Sequence, residues 1–220
     1  HLGSDGMWPD LFNDFNLQIN PFRALNCGFE VDWSDLLIKN KALKNIKLSY
    51  LDQSFSGDIM ITDYGIESGP VYMLSHYFQN DLKNNEYIIC KINFIPDLNR
   101  EQIKEKLTKR KPKETLSKFL TRVFKFDAMK LSLFNELKED ELENSLTNGK
   151  INILRARPID EAISVSGGIC MNEITSSFEL KKIENHYVLG EMLDWSAPTG
   201  GFLLQACFSM AYQCAHSMKG

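Results

Sequence analysis

The sequence predicts a mixed α+β fold in which a β-barrel-like unit carries a small helical bundle. Three observations predict it. Apolar and polar residues alternate with a period of two over much of residues 27–62, which is typical of half-buried strands. Residues 97–148 then show helical spacing, many charges and no glycine. Residues 151–157 return to a strand pattern, which Pro158 breaks.

Local patterns predict the elements in chain order. The acidic residue Asp10 favours a short helix over residues 9–15. The Ser-Gly pair at 56–57 predicts the turn of a hairpin between two strands. Pro70 suits the first turn of a helix that Ser68 can cap. The remaining predictions are strands at 27–33, 46–51, 58–62 and 87–95, an extended stretch at 17–22, a helix at 71–80, and helices marked by Ile103, Leu107, Leu116, Phe119, Leu120, Val123, Phe124, Leu131, Phe134 and Leu137.

Length and composition are those of an ordinary globular protein. The 220 residues allow one good core or two small ones, with 43% of them hydrophobic and 25% charged. The net charge of −4 predicts no nucleic-acid partner. No apolar run approaches the roughly 18 residues that a membrane span needs, so no membrane partner is expected. The five dispersed cysteines form no Cys-x-x-Cys or His-Cys cluster, which predicts reduced thiols in a cytoplasmic protein and no metal site.

One charged stretch allows two interpretations. Ten Lys or Arg residues lie between Lys104 and Lys130 against three acids, and an acidic run follows over residues 136–143. The basic run is compatible with an anionic substrate or an RNA partner. We favour solvated helix faces that balance each other, because aromatic residues are not interleaved in the way that base-stacking platforms require.

The most specific pattern lies in residues 161–220. Residues 187–191 are expected to form a hydrophobic strand that ends in Gly190 and Glu191, and a glycine pair at 200–201 then opens an apolar helix. A carboxylate beside a helix N-terminus suits a ligand that has both hydroxyls and anionic or carbonyl oxygens. Glycine at the turn lets the backbone approach closely. The alternative is an ordinary strand–turn–helix with a glycine bend.

Five ordered landmarks resemble flavoproteins that have two dinucleotide-binding domains and an insert, a family that includes aminoacetone oxidase and a dehydro-bile-acid reductase. The resemblance implies an FAD cofactor and a fold in which the insert is followed by the C-terminal strand–helix part of a Rossmann-like FAD-binding domain. One position departs from the pattern, since many relatives have Asn where this chain has Leu203. The landmarks are Leu-Gly-Ser-Asp-Gly-Met-Trp at 2–8, Thr-Asp-Tyr-Gly-Ile-Glu-Ser-Gly-Pro at 62–70, Gly-Gly-Ile at 167–169, Gly-Glu-Met-Leu-Asp at 190–194 and Thr-Gly-Gly-Phe at 199–202.

The resemblance also predicts domain boundaries and an incomplete protein. Such flavoproteins open with a Gly-x-Gly-x-x-Gly turn that is absent here, so we expect a C-terminal half whose partner is the missing N-terminal FAD-binding half. Without that half, the apolar faces of the Ile169 strand and of the helix at 203–208 should be exposed. The predicted segments are 1–23 (tail of the first FAD-domain segment), 24–160 (insert, with a barrel-like unit at 24–96 and 151–160 and a bundle at 97–150) and 161–220 (C-terminal segment of the FAD-binding domain).

The resemblance assigns cofactor contacts, but no catalytic residue. Glu191 would accept a hydrogen bond from a ribityl hydroxyl, and Asp194 would support that loop or contact the cofactor. The N–H groups at 199–202 would lie near the O2 and N1 edge of the isoalloxazine, where positive potential stabilises the reduced flavin. The glycines at 167–168 would allow close approach to the ring, or form only a tight strand bend. The predicted cofactor-binding residues are Gly167, Gly168, Gly190, Glu191, Asp194, Thr199, Gly200, Gly201 and Phe202.

Five further side chains have open roles. Trp195 lies between two contact groups and would cover the flavin or the substrate, or pack in the core. His76 and His186 are acid or base candidates, although a lone histidine is more often structural or on the surface. Tyr64 and Tyr72 flank the helix start near Pro70, and either would be able to protonate a reduced alkene carbon.

The implied function is an FAD-dependent oxidoreductase that exchanges a hydride with a small organic substrate at a C–C or C–N bond. The flavin would supply the chemistry, and the protein would supply position, field and water exclusion. Three alternatives stay open: a flavin-binding interaction module, an RNA-modification flavoprotein, and a non-catalytic truncated remnant.

Overall fold

A computed structural model describes residues 4–35, 38–197 and 200–218. It divides into two compact units, of which unit 1 comprises residues 1–27 and 157–220 and unit 2 comprises residues 28–156. The sequence placed the ends of an insert at 24 and 160, close to these divisions. That this middle segment is an insert stays a prediction.

The regular elements alternate between strands and short helices. The helices are α1 (Pro70–Leu82), α2 (Arg100–Leu107), α3 (Leu116–Phe124), α4 (Ala128–Leu137), α5 (Leu142–Asn148) and α6 (Phe202–Ser217). The strands are β1 (Ile19–Leu25), β2 (Phe29–Glu30), β3 (Lys41–Tyr50), β4 (Gln53–Ile61), β5 (Gly65–Glu67), β6 (Ile88–Asn93), β7 (Gly149–Ile153), β8 (Arg155–Ala156) and β9 (Ser164–Ile169). Short 3-10 helices span Trp8–Phe15, Ile159–Glu161, Met171–Glu173 and Gly190–Met192.

Unit 2 is built on a nearly closed antiparallel sheet. In the part of the chain that the structure describes, its seven strands follow the order β7-β6-β3-β4-β5-β2-β8. The two end strands are consecutive in the chain, and Leu154 between them donates its N–H to the carbonyl of Glu30 in β2 at 2.9 Å. This supports the mixed fold class with a barrel-like sheet.

The inner face of this sheet carries the core of unit 2. Ile46 and Leu48 in β3 are fully buried with a period of two, as are Ile59 and Ile61 in β4. Helix α1 covers them with Phe78, whose ring packs edge-on against Phe29 at 5.1 Å between centroids. The predicted antiparallel pairing of these two strands is therefore confirmed, although not the position of its turn, and the helix predicted at 71–80 is confirmed.

Helices α2 to α4 begin at side chains that accept hydrogen bonds from their own first turns. Asn99 and Gln102 form a reciprocal capping box at α2, and the side chains of Thr115 and Asp127 accept from backbone N–H groups of α3 and α4. These caps fix where each helix starts. The apolar sides of the helices are buried at Ile103, Phe119, Leu120, Val123, Phe124, Met129, Leu133 and Phe134.

Unit 1 combines the two-stranded antiparallel sheet β1–β9 with a loop-rich core. Its buried cluster is formed by apolar residues of β9 and of the long connection to α6, and its members are Ile169, Ile174, Leu180, Val188 and Leu193. Partly buried aromatic residues such as Trp8, Phe12 and Trp195 pack against this cluster. Landmarks that lie far apart in the sequence thus share one core.

Three predictions about local structure are wrong. Residues 187–190 form no strand beyond the isolated bridge of Tyr187, and Gly190 begins a 3-10 helix. The hairpin turns after Tyr50, while Gly57 lies inside β4, where a Cβ would be 3.1 Å from Cδ of Pro70. The N-cap of α1 is Gly69 and not Ser68.

Of the two apolar faces that were expected to be exposed, one is exposed and the other is buried. In α6, Leu204 and Phe208 are 61% and 67% exposed, as predicted for the helix at 203–208. Ile169, in contrast, is fully buried, because the 3-10 segment and the loop after it cover β9. The prediction for that strand is wrong.

Candidate functional site

The glycine pair of β9 is required by the protein's own backbone. Gly167 has φ +98° and Gly168 has φ +120°, values that side-chain-bearing residues rarely adopt. A Cβ on Gly167 would lie 2.4 Å from the carbonyl oxygen of Pro21, and one on Gly168 would lie 2.6 Å from that of Met192. Glycine is therefore needed here for backbone conformation and close packing, while both the tight strand bend and contact of this pair with a flavin stay predictions.

A compact segment at 190–195, the Gly-Glu segment, packs between β9 and α6. Gly190 has φ +65°, and its carbonyl accepts a 2.6 Å hydrogen bond from the indole N–H of Trp195. On the other side, a Cβ on Gly190 would lie 3.3 Å from Sγ of Cys207 in α6. The N–H of Asp194 donates to the carbonyl of Ile169 at 2.8 Å. The segment is thereby fixed on both sides.

Glu191 is one of the two carboxylates of this segment. Its Oε1 accepts a 3.3 Å hydrogen bond from the backbone N–H of Val165. Within the described residues, Oε2 has no hydrogen-bond donor, so this oxygen is available to a ligand. Burial first, and then the charge of Glu191, raise the pKa of the Cys207 thiol above its ordinary value. Cys207 is therefore held as a neutral thiol beside the carboxylate.

The side chain of Glu191 lines a cleft of unit 1 with a volume of about 290 Å³. The other lining residues come from the N-terminal segment, β1, the start of β9 and the Gly-Glu segment: Ser4, Trp8, Phe22, Ala162, Ile163, Ser164, Val165, Leu189 and Met192. We call this the Glu191 cleft. It combines one carboxylate with aromatic and aliphatic walls, a composition that suits a largely planar organic ligand with hydroxyl groups.

Asp194 links the Gly-Glu segment to both β1 and β9. Its carboxylate accepts a 2.6 Å hydrogen bond from the side-chain amide of Asn20 in β1, while its backbone bonds to β9. The structure thus gives Asp194 the loop-supporting role that the sequence allowed. Contact between Asp194 and a cofactor stays a prediction.

Among the residues that the structure describes, no side chain accepts a hydrogen bond from the backbone N–H groups at the start of α6. Its N-cap is Gly201 with φ +87°, no side chain caps it and its first turn has no acid. The positive end of a 16-residue helix is therefore not neutralised by its own sequence. Phe202 is 60% exposed, and Gly200 has φ +114°. Thr199 lies outside the described residues.

The structure brings only part of the predicted set together. Gly168, Gly190, Glu191 and Asp194 lie close together, because the Gly-Glu segment packs on β9 and is hydrogen-bonded to it. Gly200, Gly201 and Phe202 are not among the residues that line the Glu191 cleft. Trp8, Phe22 and Ile163 do line the cleft, although the sequence predicted no role for them. Trp8 had a signal, since it closes the landmark at 2–8, whereas the other two had none.

The open candidates fall into two groups. His76 and His186 are both exposed. Tyr64, in unit 2, donates a 2.5 Å hydrogen bond to Glu67. Burial first, and then this bond, raise the pKa of Tyr64 above its ordinary value, so its hydroxyl keeps its proton at neutral pH. Tyr72 is partly buried in α1.

Two features are absent from the described residues. No helix there is both long and apolar enough to cross a membrane. In the same part of the chain, no three His, Cys, Asp or Glu side chains cluster in a way that would hold a metal ion.

Comparison with known proteins gives curated relatives that include the following three. The 3-dehydro-bile acid delta(4,6)-reductase of Clostridium scindens is 25% identical over 174 residues, covering 71% of this chain and 42% of that protein. The ribosomal RNA dihydrouridine synthases of Haemophilus influenzae and Escherichia coli are 23% and 24% identical over 236 aligned residues, covering 99% of this chain and 57% of each enzyme. The chain thus spans about half the length of these relatives.

The family match covers almost the entire chain. The description of the matching family is "HI0933-like protein Rossmann domain", and residues 1–217 match it. This match includes every landmark from the segment at 2–8 to the start of α6. The chain therefore belongs to the HI0933-like family of FAD-binding Rossmann-domain flavoproteins.

Proposed function

We propose that this chain forms part of an FAD-dependent oxidoreductase that transfers a hydride to a carbon–carbon double bond conjugated to a carbonyl group. The family match over residues 1–217 carries the proposal. The names of the relatives supply the bond type, because a 3-dehydro-bile acid delta(4,6)-reductase and a dihydrouridine synthase both saturate such a bond. A small organic molecule is the proposed substrate, in line with the aromatic and aliphatic side chains that form part of the Glu191 cleft.

The donor and acceptor groups of unit 1 fit an FAD. The hydrogen bond that Oε1 of Glu191 accepts from the Val165 N–H orients the other oxygen, Oε2. Oε2 suits a hydrogen bond in which a ribityl hydroxyl is the donor. The uncapped N–H groups of α6 suit the electron-rich O2 and N1 edge of the ring. When bound, FAD supplies hydride transfer, and the protein tunes it through these groups. The proposal includes the expectation that residues binding the adenosine half lie outside this sequence.

The surrounding residues have separate tasks. Trp195 and Asn20 position the Gly-Glu segment through their hydrogen bonds to Gly190 and Asp194. Trp8 contributes an aromatic wall of the Glu191 cleft. We assign no catalytic acid among these residues.

A second candidate is a flavoenzyme that reduces uridine in RNA. Alignment coverage favours it, because the two ribosomal RNA dihydrouridine synthases match 99% of this chain while the bile-acid reductase matches 71%. The bond that would be reduced is of the same conjugated type. The two candidates therefore differ in the substrate that carries the double bond.

Anaerobic reoxidation of the reduced flavin tests both candidates. The protein made from the complete gene is loaded with FAD, reduced with dithionite to the two-electron state, and mixed with a 3-oxo-4-ene steroid or with a uridine-containing RNA. Two electrons and two protons pass to the double bond, and the oxidised flavin absorbance returns. Return with the steroid supports the first candidate, and return with the RNA supports the second. Failure with both, or bleaching of the oxidised flavin by a primary amine, would overturn the reductase proposal.

A further inference from the structure

We propose that the surface formed by residues 104–125, the basic segment, is a docking surface for the phosphate backbone of RNA. The segment covers the second half of α2, all of α3 and the loop between them. It contains nine Lys or Arg and two acids, a net charge of +7 in a chain whose total is −4. The total charge therefore conceals a strongly basic region, and such a region attracts polyanions.

Most of these cations have no carboxylate partner. Within the described residues, Lys109 pairs with Glu105 at 2.8 Å and Arg122 pairs with Glu114 at 2.7 Å. Lys106 instead donates to the carbonyl of Val123 at 3.4 Å. The remaining six are exposed and make no ion pair in the described parts of the chain: Lys104, Arg110, Lys111, Lys113, Lys118 and Lys125.

The neighbouring acidic run does not neutralise the basic segment. Glu136 accepts from the backbone and hydroxyl of Ser34, at 2.9 and 2.6 Å. Glu139 pairs with Lys150 at 2.8 Å, and Glu143 pairs with Arg100 at 3.3 Å. These partners all lie outside residues 104–125. The interpretation that the two runs balance each other therefore loses its support.

The basic segment is held on a rigid base, so little order has to be gained on binding. Arg122 donates to both carboxylate oxygens of Glu114 at 2.7 Å and to the carbonyl of Lys109 at 2.9 Å. These bonds fix the loop that carries Arg110, Lys111 and Lys113. Below it, apolar side chains of α2 and α3 are buried, so the cations are presented on an ordered surface.

The chemistry of the segment indicates phosphate contacts and not base contacts. Its aromatic residues, Phe119 and Phe124, are buried and offer no stacking surface. Exposed Lys and Arg side chains bind phosphates with little regard to sequence. The choice of RNA over other polyanions rests on the second candidate of the proposed function. The inference thus reverses the expectation of no nucleic-acid partner that the net charge gave.

Fluorescence anisotropy with a labelled RNA hairpin tests the inference in the full 220-residue chain. The test variant is Arg110→Gln, Lys111→Gln, Lys113→Gln and Lys118→Gln. The matched control is Lys41→Gln, Lys44→Gln, Lys83→Gln and Lys91→Gln, which removes the same charge from exposed or partly exposed sites elsewhere in unit 2. Binding needs no flavin, so its outcome is separate from the outcome of the reductase assay.

We expect the test variant to lose about 10²–10³-fold in affinity at low salt and the control variant about threefold or less. Six phosphate contacts predict a salt slope of about −4 to −5, and the test variant should reduce its magnitude by about 3. Absence of RNA binding at low salt, or equal losses in both variants, would overturn the inference. Equal binding to phosphatidylserine vesicles would overturn the choice of RNA as partner.

Discussion

Replacing Gly168 with Ala should destabilise unit 1 through a clash between two backbone segments. The new Cβ would lie 2.6 Å from the carbonyl oxygen of Met192 and 3.0 Å from the carbonyl carbon of Leu193. Neither atom is free to move, because the Gly-Glu segment is bonded to β9 through Asp194 and to its own start through Trp195. Relief of the clash would require the segment to separate from the strand.

The expected cost has two parts. A residue with a Cβ at φ +120° is strained by about 1–3 kcal/mol, and the overpacking adds about 1–3 kcal/mol. The matched control is Gly201→Ala, where φ is +87° and a Cβ would meet no atom within 4 Å. The control should show the strain alone, so the two variants should differ by about 1–3 kcal/mol.

Urea unfolding measures this difference. In a Trp33→Phe background the tryptophan fluorescence reports on unit 1 alone, because both remaining tryptophans, Trp8 and Trp195, belong to it. The midpoint should fall further for Gly168→Ala than for Gly201→Ala at an unchanged slope. Equal midpoints would show that the close packing of β9 on the Gly-Glu segment is not what requires glycine.

Three further predictions concern burial and charge. Burial raises the pKa of Cys90 to about 12, so iodoacetamide should leave this thiol unmodified until urea unfolds the protein. Labelling of Cys90 in the native protein, detected by mass spectrometry, would contradict this prediction. The hydrogen bond from Arg122 lowers the pKa of Glu114 from 4.5 to about 2. The ionised Glu114 therefore stabilises the fold fully above pH 4.5, and this stabilisation is lost as the pH falls toward 2. The melting-temperature difference between the natural protein and Glu114→Gln should therefore vanish over that range, and a constant difference would refute the assignment. Phe119→Ala should cost about 3–5 kcal/mol in urea unfolding, whereas the exposed Phe202→Ala should stay within about 0.5 kcal/mol; similar losses would contradict the assigned burial.

The sequence predicted best those elements whose evidence is local. Helix α3 matches the predicted apolar positions from Leu116 to Phe124, because its period and its cap both lie within a few residues. The hairpin turn was misplaced for a non-local reason. A serine–glycine pair resembles a turn, but Gly57 is there to admit Pro70 of α1, which no pattern in β4 reveals.

The wrong prediction of a strand at 187–191 has a similar cause. A strand needs a neighbour, and Val188 and Leu189 lie in a loop-rich region where Tyr187 makes one isolated bridge. Val188 is buried in the core of unit 1, and Leu189 is partly buried and lines the Glu191 cleft, so neither apolar residue belongs to a sheet. Burial and strand formation give the same apolar signal over so short a run.

The candidate site was predicted only where it follows a motif. The landmark at 190–194 located Glu191 and Asp194, both of which have defined partners in the structure. The walls of the Glu191 cleft come from segments more than a hundred residues apart, such as those of Phe22 and Ile163. Only the tertiary structure brings these together, so a single sequence had no signal for them.

The most direct test of the central claim is a titration of FAD into the protein made from the complete gene, followed by visible absorption. The natural protein should show flavin bands, and Glu191→Ala should weaken binding about 10–100-fold through loss of a charge-assisted hydrogen bond. The exposed Glu184→Ala is the matched control and should bind FAD as the natural protein does. A colourless natural protein, or equal affinities for all three, would contradict the account.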